Sequence, residues 1–131
     1  MKYLVDTSVL IQSLIAKPKL NQKALNLLAD DSSELYFSAA SSWEITIKTA
    51  IGKLILPEPP SEFVTTAIGL MALRSLDITH SHAFALEALP NHHRDPFDRM
   101  LVAQAQTEQL VLLTTDRVFE KYKVDHLFCG R

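Results

Sequence analysis

The sequence predicts an α/β fold, a three-layer sandwich in which a central parallel sheet of four to five strands carries helices on both faces. Short apolar segments alternate along the chain with longer segments of helical spacing, which is the pattern of strand–helix–strand units. Two acids, Asp6 and Asp116, each follow an apolar strand candidate. Because ligands of such sheets bind beyond the carboxyl ends of the strands, these two positions mark a candidate site.

The first half of the chain contains two predicted strands and three predicted helices. Residues 3–5 form a short apolar run that ends at Asp6, which is typical of a buried strand. Gly52 is well placed to end a helix, since glycine is common just after a helix C-terminus. Hydrophobic spacing predicts the other elements of this half, which are helices over 7–16, 20–28 and 39–51 and a strand over 35–37.

The second half begins with a stiff proline-rich connector over 56–60. Ser61 is expected to cap the helix that follows, and Pro96 to begin another, because proline is favoured at the first helical position. The remaining predictions are helices over 63–71, 81–89 and 96–109, a short helix from Asp116, strands over 76–78, 110–114 and 126–128, and a polar loop over 90–94.

Composition and charge exclude several classes of protein. A chain of 131 residues suits a single domain over 1–131, and 47% apolar with 21% charged residues excludes wholesale disorder. The net charge of −2 excludes a protein that coats nucleic acid by bulk charge, but it allows a local basic patch. The single cysteine, Cys129, excludes an intrachain disulfide framework. The N-terminal apolar runs are too short for a membrane span, so we expect a cytoplasmic protein.

Glu44 is the most informative acid because it falls beside an apolar stripe of the predicted helix over 39–51. At about 100° per residue it neighbours Ala40 and Ile47. A carboxylate that faces a core is costly unless it is paired or binds a metal. One interpretation is therefore a metal ligand, and the structural alternative is an i,i+4 ion pair with Lys48.

The other acids also allow two interpretations. Asp95 and Asp116 suit helix caps, Asp98 suits the first turn of a helix, and Asp6 suits a turn after its strand. Taken together, Asp6, Glu44, Asp98 and Asp116 are all expected near the inner ends of their elements. Clustered carboxylates repel one another, and a hard divalent cation such as Mg²⁺ or Mn²⁺ is the usual relief.

Four sequence strings resemble the PIN domain family, and specifically the VapC-type ribonuclease toxins of type II toxin–antitoxin pairs. In chain order they are LVDTSVLI, SAASSWEITIKTAIGKL, HHRDPFDRMLVAQA and LLTTD, and together they span nearly the whole chain. The resemblance implies a PIN-like sheet, a metal site of three or four acids, and cleavage of RNA phosphodiesters by a metal-activated water. It also implies a cognate antitoxin and assembly as a homodimer or a toxin–antitoxin hetero-oligomer.

The family's acids correspond to particular positions of this chain. Asp6 matches the first, Glu44 the second, Asp98 the third and Asp116 the fourth, and the resemblance makes these four both metal-binding and catalytic. Asp95 stands close enough to be the third, but we prefer Asp98 because Asp95 is expected to cap the helix. Two hydroxyl residues, Ser8 and Thr115, are expected to support the acids by orienting carboxylates or waters.

Weaker signals surround these strings. Trp43 is predicted to belong to the core, and we predict surface positions for the histidines, which are His80, His82, His92, His93 and His126. Basic side chains near the acids are candidates for RNA phosphate contacts, namely Lys48, Lys53, Arg94, Arg99 and Arg117.

Two other functions remain open at this stage. One is a PIN-like module that binds RNA or protein without activity, against which the intact set of four acids argues. The other is a phosphoryl-transfer domain that uses Asp6, although a phosphatase of that kind would want an acid where Ser8 stands. For an antitoxin partner, apolar surface over 14–28 and 63–71 is expected to form a groove for an amphipathic helix, with an Arg or Lys reaching the acids.

Overall fold

A fully parallel five-stranded sheet forms the centre of the computed structural model, which describes residues 1–92 and 94–131. The strands are β1 (Lys2–Val5), β2 (Glu34–Ser38), β3 (Arg74–Leu76), β4 (Val111–Thr114) and β5 (His126–Phe128). They lie in the order β3-β2-β1-β4-β5, with every neighbouring pair parallel. The structure confirms the predicted parallel sheet, which has five strands where four to five were expected.

Helices connect the strands and cover the sheet. Among the described residues, none of them is long and apolar enough to cross a membrane. Short 3₁₀ turns occur at Lys17–Lys19, Leu86–Ala88 and Arg117–Lys121. The α-helices are α1 (Thr7–Ile15), α2 (Gln22–Ala29), α3 (Ala39–Ala50), α4 (Pro60–Leu70), α5 (His80–Ala85) and α6 (Pro96–Glu108).

Apolar side chains pack against both faces of the sheet. Val5 and Leu113 are register partners, and both belong to the core under α1, α2 and α4. The adjacent partners, Leu4 and Leu112, belong to a second core under α6. Because successive side chains of a strand point to opposite faces, neighbouring residues of β1 and β4 enter different cores. This arrangement confirms the three-layer sandwich.

The chain order of the strands brings two of the predicted acids to one edge. After β1 the chain builds β2 and β3 on one side, and then returns to the other side of β1 as β4. The carboxyl ends of β1 and β4 therefore form the point where the strand order reverses, which is where open α/β sheets bind ligands. Asp6 lies at this point, and its N–H donates to the Leu113 carbonyl at 2.9 Å.

Two predictions on the helices were wrong. Ser61 lies inside α4 and does not cap it, because the helix begins at Pro60 with Pro59 as its N-cap residue. Trp43 lies outside the core with 58% of its surface exposed, and its ring meets that of Phe97 edge to face at 5.1 Å. The helix α3 turns a different side to the core, so that Ala40, Ser41, Glu44 and Ile45 are buried instead.

One surface prediction for a histidine was also wrong. His82 is buried at 1% exposure, where its Nδ1 accepts the Thr79 N–H at 3.0 Å and its Nε2 lies 3.4 Å from Glu108. The hydrogen bond between the Thr79 N–H and His82 completes a capping box at the start of α5, which gives the ring a structural role. The prediction for His93 lies outside the described residues.

Candidate metal centre

A cleft of about 510 Å³ opens beyond the carboxyl ends of β1 and β4. Five carboxylates line it, together with hydroxyl and basic side chains from α1, α3, α6 and the segments around them. All four acids predicted from the sequence belong to this lining. The lining residues are Asp6, Thr7, Ser8, Ile11, Glu44, Lys48, Lys53, Leu54, Asp95, Asp98, Thr115, Asp116 and Arg117.

Asp6 is held at the floor of the cleft by two hydroxyls. Its side chain is only 4% exposed, and its Oδ2 accepts hydrogen bonds from Thr114 Oγ1 at 2.8 Å and from Ser8 Oγ at 3.1 Å. Burial, reinforced by the charge of Glu44, raises the pKa of Asp6 from 3.8 to about 6, against the lowering effect of the two hydroxyls. The carboxylate is thus fixed in place, yet part of its population holds a proton near neutral pH.

Glu44 is buried in α3 between a hydroxyl and an ammonium group. Thr7 Oγ1 donates to its Oε1 at 2.7 Å, and Lys48 Nζ forms an ion pair with its Oε2. The structural alternative raised by the sequence, an i,i+4 pair, is therefore present. It coexists with the other interpretation, since Glu44 also lines the cleft.

Asp95 and Asp98 enter the cleft from the first turn of α6. Asp95 caps the helix, since its Oδ1 accepts the N–H groups of Phe97 at 2.9 Å and of Asp98 at 3.1 Å. Glu44, Asp95 and Asp98 each offer one carboxylate oxygen, and these oxygens lie within 4.8 Å of one another. Capping thus does not remove Asp95 from the cluster, and both candidates for the third acid are in the cleft.

The pKa of Asp98 reflects both its burial and the negative charge of its neighbours. Burial raises it from 3.8 to about 8, and the charges of Asp6, Asp95, Glu44 and Asp116 add to the effect. A carboxyl group with this pKa is largely protonated at neutral pH unless a cation offsets its neighbours. The site therefore favours a bound cation electrostatically.

Asp116 belongs to the cleft but stands at its rim. It is exposed, its Oδ1 accepts the Val118 N–H at 2.9 Å, and its own N–H donates to Thr114 Oγ1 at 3.0 Å. The predicted cap at the start of the last short helical turn is thus present. Among the described residues, Asp6 and Asp116 line the cleft but stand outside the tight oxygen group of Glu44, Asp95 and Asp98.

Hydroxyl residues form the support around the acids. Thr115 Oγ1 donates to Ser8 Oγ at 2.8 Å, and Ser8 in turn donates to Asp6, so the two predicted residues act in series. Sequence reasoning missed Thr7 and Thr114, which bind Glu44 and Asp6 directly. The sequence did contain a clue to these two residues, because each lies within a string that carries one of the acids.

The predicted basic residues divide into two groups. Lys48, Lys53 and Arg117 line the cleft. Arg99 instead donates to the backbone carbonyls of Pro90 at 2.8 Å and Leu89 at 3.3 Å, which ties down the loop before α6. Arg94 is exposed and is absent from the cleft lining given above.

The charge state of Lys48 follows from its surroundings. Burial alone would lower its pKa. The hydrogen bond to Glu44 and the charges of Glu44, Asp95 and Asp98 outweigh that effect, so the pKa of Lys48 is raised. Lys48 is consequently a cation at neutral pH, and it stands among the same carboxylates that a metal would use.

The donor set fits a hard divalent cation. Every acidic ligand candidate offers carboxylate oxygen, which Mg²⁺ and Mn²⁺ prefer, and the ammonium of Lys48 already shows that the cluster attracts positive charge. Cys129, the single cysteine, is buried away from the cleft lining, so no thiolate competes for a softer metal there.

The PIN domain profile matches residues 3–125 of the chain. The chain belongs to the PIN domain family. Its cleft therefore lies in a PIN fold, at the switch point of the parallel sheet. The family resemblance seen in the four strings is confirmed by this match.

Individual relatives agree with the family. Ribonuclease VapC16 of Mycobacterium tuberculosis is 33% identical over 69 residues, which cover 50% of this chain and 49% of that protein. The matched segment thus spans about half the length of the curated relative. The structure of VapBC2 from Rickettsia felis bound to a promoter DNA fragment has a TM-score of 0.76 at 16% identity, with 99% and 100% of the two chains covered. DNA-bound VapBC from Salmonella typhimurium gives 0.67 at 21% identity, covering 98% of each chain.

Proposed function

We propose that this protein is a metal-dependent endoribonuclease and the toxin of a type II toxin–antitoxin pair, acting as one PIN domain over residues 1–131. The observation that carries the proposal is the cleft at the switch point, where oxygens of Glu44, Asp95 and Asp98 lie within 4.8 Å of one another beside buried Asp6. The name of the curated relative, a VapC ribonuclease, supports the activity, and the proposal includes a cytoplasmic location, where cellular RNA is available.

Mg²⁺, or Mn²⁺ in its place, is the cofactor that the carboxylates would hold. Asp6, Glu44, Asp98 and Asp116 are the proposed ligands, with Asp95 as the alternative to Asp98. A divalent cation bound there would supply positive charge for the phosphodiester and a nucleophile at neutral pH.

The chain's own side chains prepare this site. Thr114 and Ser8 fix Asp6, and Thr7 fixes Glu44, so that two carboxylates are oriented before any ligand arrives. Such preorganisation lowers the free-energy cost of assembling the site when RNA binds. Lys53 and Arg117 bring positive charge to the same cleft, where RNA phosphates would lie.

Two alternatives find less support. A phosphoryl-transfer domain would need Asp6 as an accessible nucleophile, but Asp6 is 4% exposed and its Oδ2 accepts two hydroxyl hydrogen bonds. An inactive binding module would give no reason for this concentration of carboxylates, whose charges add to the raised pKa of Asp98 and oppose folding.

Chelation tests the activity directly. Purified protein is incubated with single-stranded RNA in EDTA, and then with Mg²⁺ or Mn²⁺ in excess. Cleavage is expected to stop in EDTA and to return with either ion, leaving 5′-phosphate and 3′-hydroxyl ends. The Asp6→Asn variant, purified in parallel, controls for contaminating nucleases and is expected to be inactive. Cleavage by the wild type that persists in EDTA would contradict the proposal.

An antitoxin partner forms the second part of the proposal. An apolar groove of about 340 Å³ lies between α1, α2 and α4, with Leu14, Leu25, Leu28, Leu70 and Met71 in its lining. Several solved structures of similar fold are VapBC complexes, some of them bound to DNA. We expect an amphipathic antitoxin helix in this groove and an antitoxin Arg or Lys at the acids of the cleft.

A further inference from the structure

Lys48 places an ammonium group inside the acidic cluster. Its Nζ forms an ion pair with Glu44 Oε2 and lies 3.9 Å from Asp95 Oδ2. Both carboxylates belong to the group whose oxygens lie within 4.8 Å of one another. The side chain of Lys48 is 35% exposed and lines the cleft, so the ammonium is accessible to solvent.

The other cations of the cleft are arranged differently. Arg117 pairs with Glu120 at 2.8 Å, and its guanidinium carbon lies 3.8 Å from the centroid of the Phe128 ring. Lys53 also lines the cleft. Within the described residues, 1–92 and 94–131, it forms no ion pair with an acid of the cluster. Of these three cations, Lys48 is the one with described ion pairs to acids of the cluster, and one of those acids, Glu44, is a proposed metal ligand.

We propose that Lys48 is a built-in counter-ion of the cluster, which a divalent cation must displace from Glu44 before Glu44 can act as a ligand. The inference rests on the metal site proposed above. Because Glu44 Oε1 already accepts a hydrogen bond from Thr7, a metal bound to Glu44 would meet the ammonium at Oε2, where the two positive charges repel each other and therefore compete. The ion pair between Lys48 and Glu44 stabilises the metal-free protein, since it offsets charge that would otherwise be buried and unpaired.

A lysine is suited to this exchange. Its ammonium is a compact point charge on a flexible four-carbon stem, and it can leave a carboxylate without moving the helix. Its position in the last turn of α3 keeps the backbone fixed, because the Lys48 carbonyl accepts the N–H groups of Lys53 at 2.9 Å and Leu54 at 3.2 Å. An arginine would hold the carboxylate in bidentate fashion and would be harder to displace.

The affinity for Mg²⁺ alone, measured by isothermal titration calorimetry at about pH 8, tests this competition. The variant Lys48→Gln removes the charge and keeps most of the stem, and Lys53→Gln is the matched control from the same cleft. We expect Lys48→Gln to bind Mg²⁺ at least about fivefold more tightly than the wild type, the lower end of typical coupling between sites. Lys53→Gln is expected to stay within about twofold, because general charge effects are screened.

Two further measurements keep the test decisive. Lys48→Arg retains the charge and is expected to bind Mg²⁺ no more tightly than the wild type, even where Lys48→Gln folds poorly without metal. Thermal unfolding of Lys48→Gln should show a lower midpoint in EDTA and a larger upward shift with Mg²⁺. Equal or weaker Mg²⁺ binding by Lys48→Gln, or tighter binding by Lys48→Arg, would overturn the inference. A wild type that binds no Mg²⁺ and cleaves no RNA would instead overturn the proposed function.

Discussion

The carboxylates of the cleft differ in their burial, their hydrogen bonds and their pKa values. Asp6 and Glu44 are buried and receive hydroxyl hydrogen bonds, which fixes their orientation. Burial raises the pKa of Asp98 to about 8, and the charges of its neighbours add to the effect. Asp116 is exposed and caps a helical turn. At the scale of single residues, we therefore expect a bound cation to lower the pKa of Asp98 and to stabilise its ionised form.

Replacing Asp98 separates activity from stability. Asp98→Asn keeps the volume and removes a like charge, so RNA cleavage is expected to fall at least about 100-fold, as the loss of a site ligand implies. In EDTA at about pH 8, the thermal midpoint is expected to rise by roughly 4 °C, the shift that about 1 kcal/mol gives in a domain of this size. Asp31→Asn, in an exposed turn, is the control that changes neither. A lower midpoint for Asp98→Asn in EDTA would indicate a structural role instead.

The raised pKa values also predict how stability depends on pH. Asp98 and Asp6 have folded-state pKa values of about 8 and about 6, both above the ordinary 3.8. The folded state thus binds these protons more tightly than the unfolded chain, so the free energy of unfolding decreases as pH rises from about 4 to about 8. Thermal unfolding in EDTA should give a higher midpoint at about pH 5.5 than at about pH 8.5, with a smaller difference for Asp98→Asn. An equal or larger difference in that variant would contradict the assignment.

Helix α3 shows what the sequence could and could not predict at the scale of elements. Its boundaries were predictable from helical spacing and from Gly52, and so was the burial of Glu44. The buried side was not, because Trp43, Ile47 and Ile51 form an apolar stripe that the structure leaves exposed. Burial follows instead from packing against both cores, since Ala40 belongs to the core under α6 and Ile45 to the core under α1, α2 and α4. Hydrophobic spacing alone does not contain that information.

The turn after α3 leads to Lys53 and Leu54, which line the cleft. The conformational role of its glycine can be tested by substitution. Gly52 has a φ of +76°, a left-handed conformation that residues with a Cβ rarely adopt. Gly52→Ala is expected to destabilise the protein by about 1 kcal/mol, although no atom lies within 4 Å of the added Cβ. Gly69→Ala, inside α4 and equally uncrowded, should stabilise by about 0.5 kcal/mol. Urea unfolding of both variants measures the difference, and equal effects would contradict the backbone argument.

At the scale of the whole molecule, topology assembles the site from distant parts of the chain. The parallel sheet was predictable from the alternation of apolar and helical segments, and it brings Asp6 and Asp116 to one edge. The choice between Asp95 and Asp98 was not predictable, because it depends on how the first turn of α6 meets α3. The roles of Thr7 and Thr114 likewise depend on contacts between elements that sequence spacing does not encode.

The apolar groove gives a prediction about assembly. Co-expression with the adjacent gene product is expected to yield a stable and inactive complex, from which removal of the antitoxin's tail restores cleavage. Leu70→Glu, on the rim of the groove, is expected to weaken the complex at least about tenfold, because it places a charge in an apolar contact. Ile55→Glu, exposed outside the groove, is the matched control and should have little effect. A chain that is monomeric, active and tolerated without any neighbour would contradict the toxin assignment.

The location of a bound cation tests the central claim most directly. Crystals soaked in Mn²⁺, at a concentration that supports RNA cleavage, give an anomalous signal at every manganese position. The account predicts a peak in the cleft with oxygens of Glu44 and Asp98 among its ligands, at about 2.0–2.2 Å from the ion. Anomalous peaks confined to other parts of the surface, under conditions in which RNA is cleaved, would contradict it.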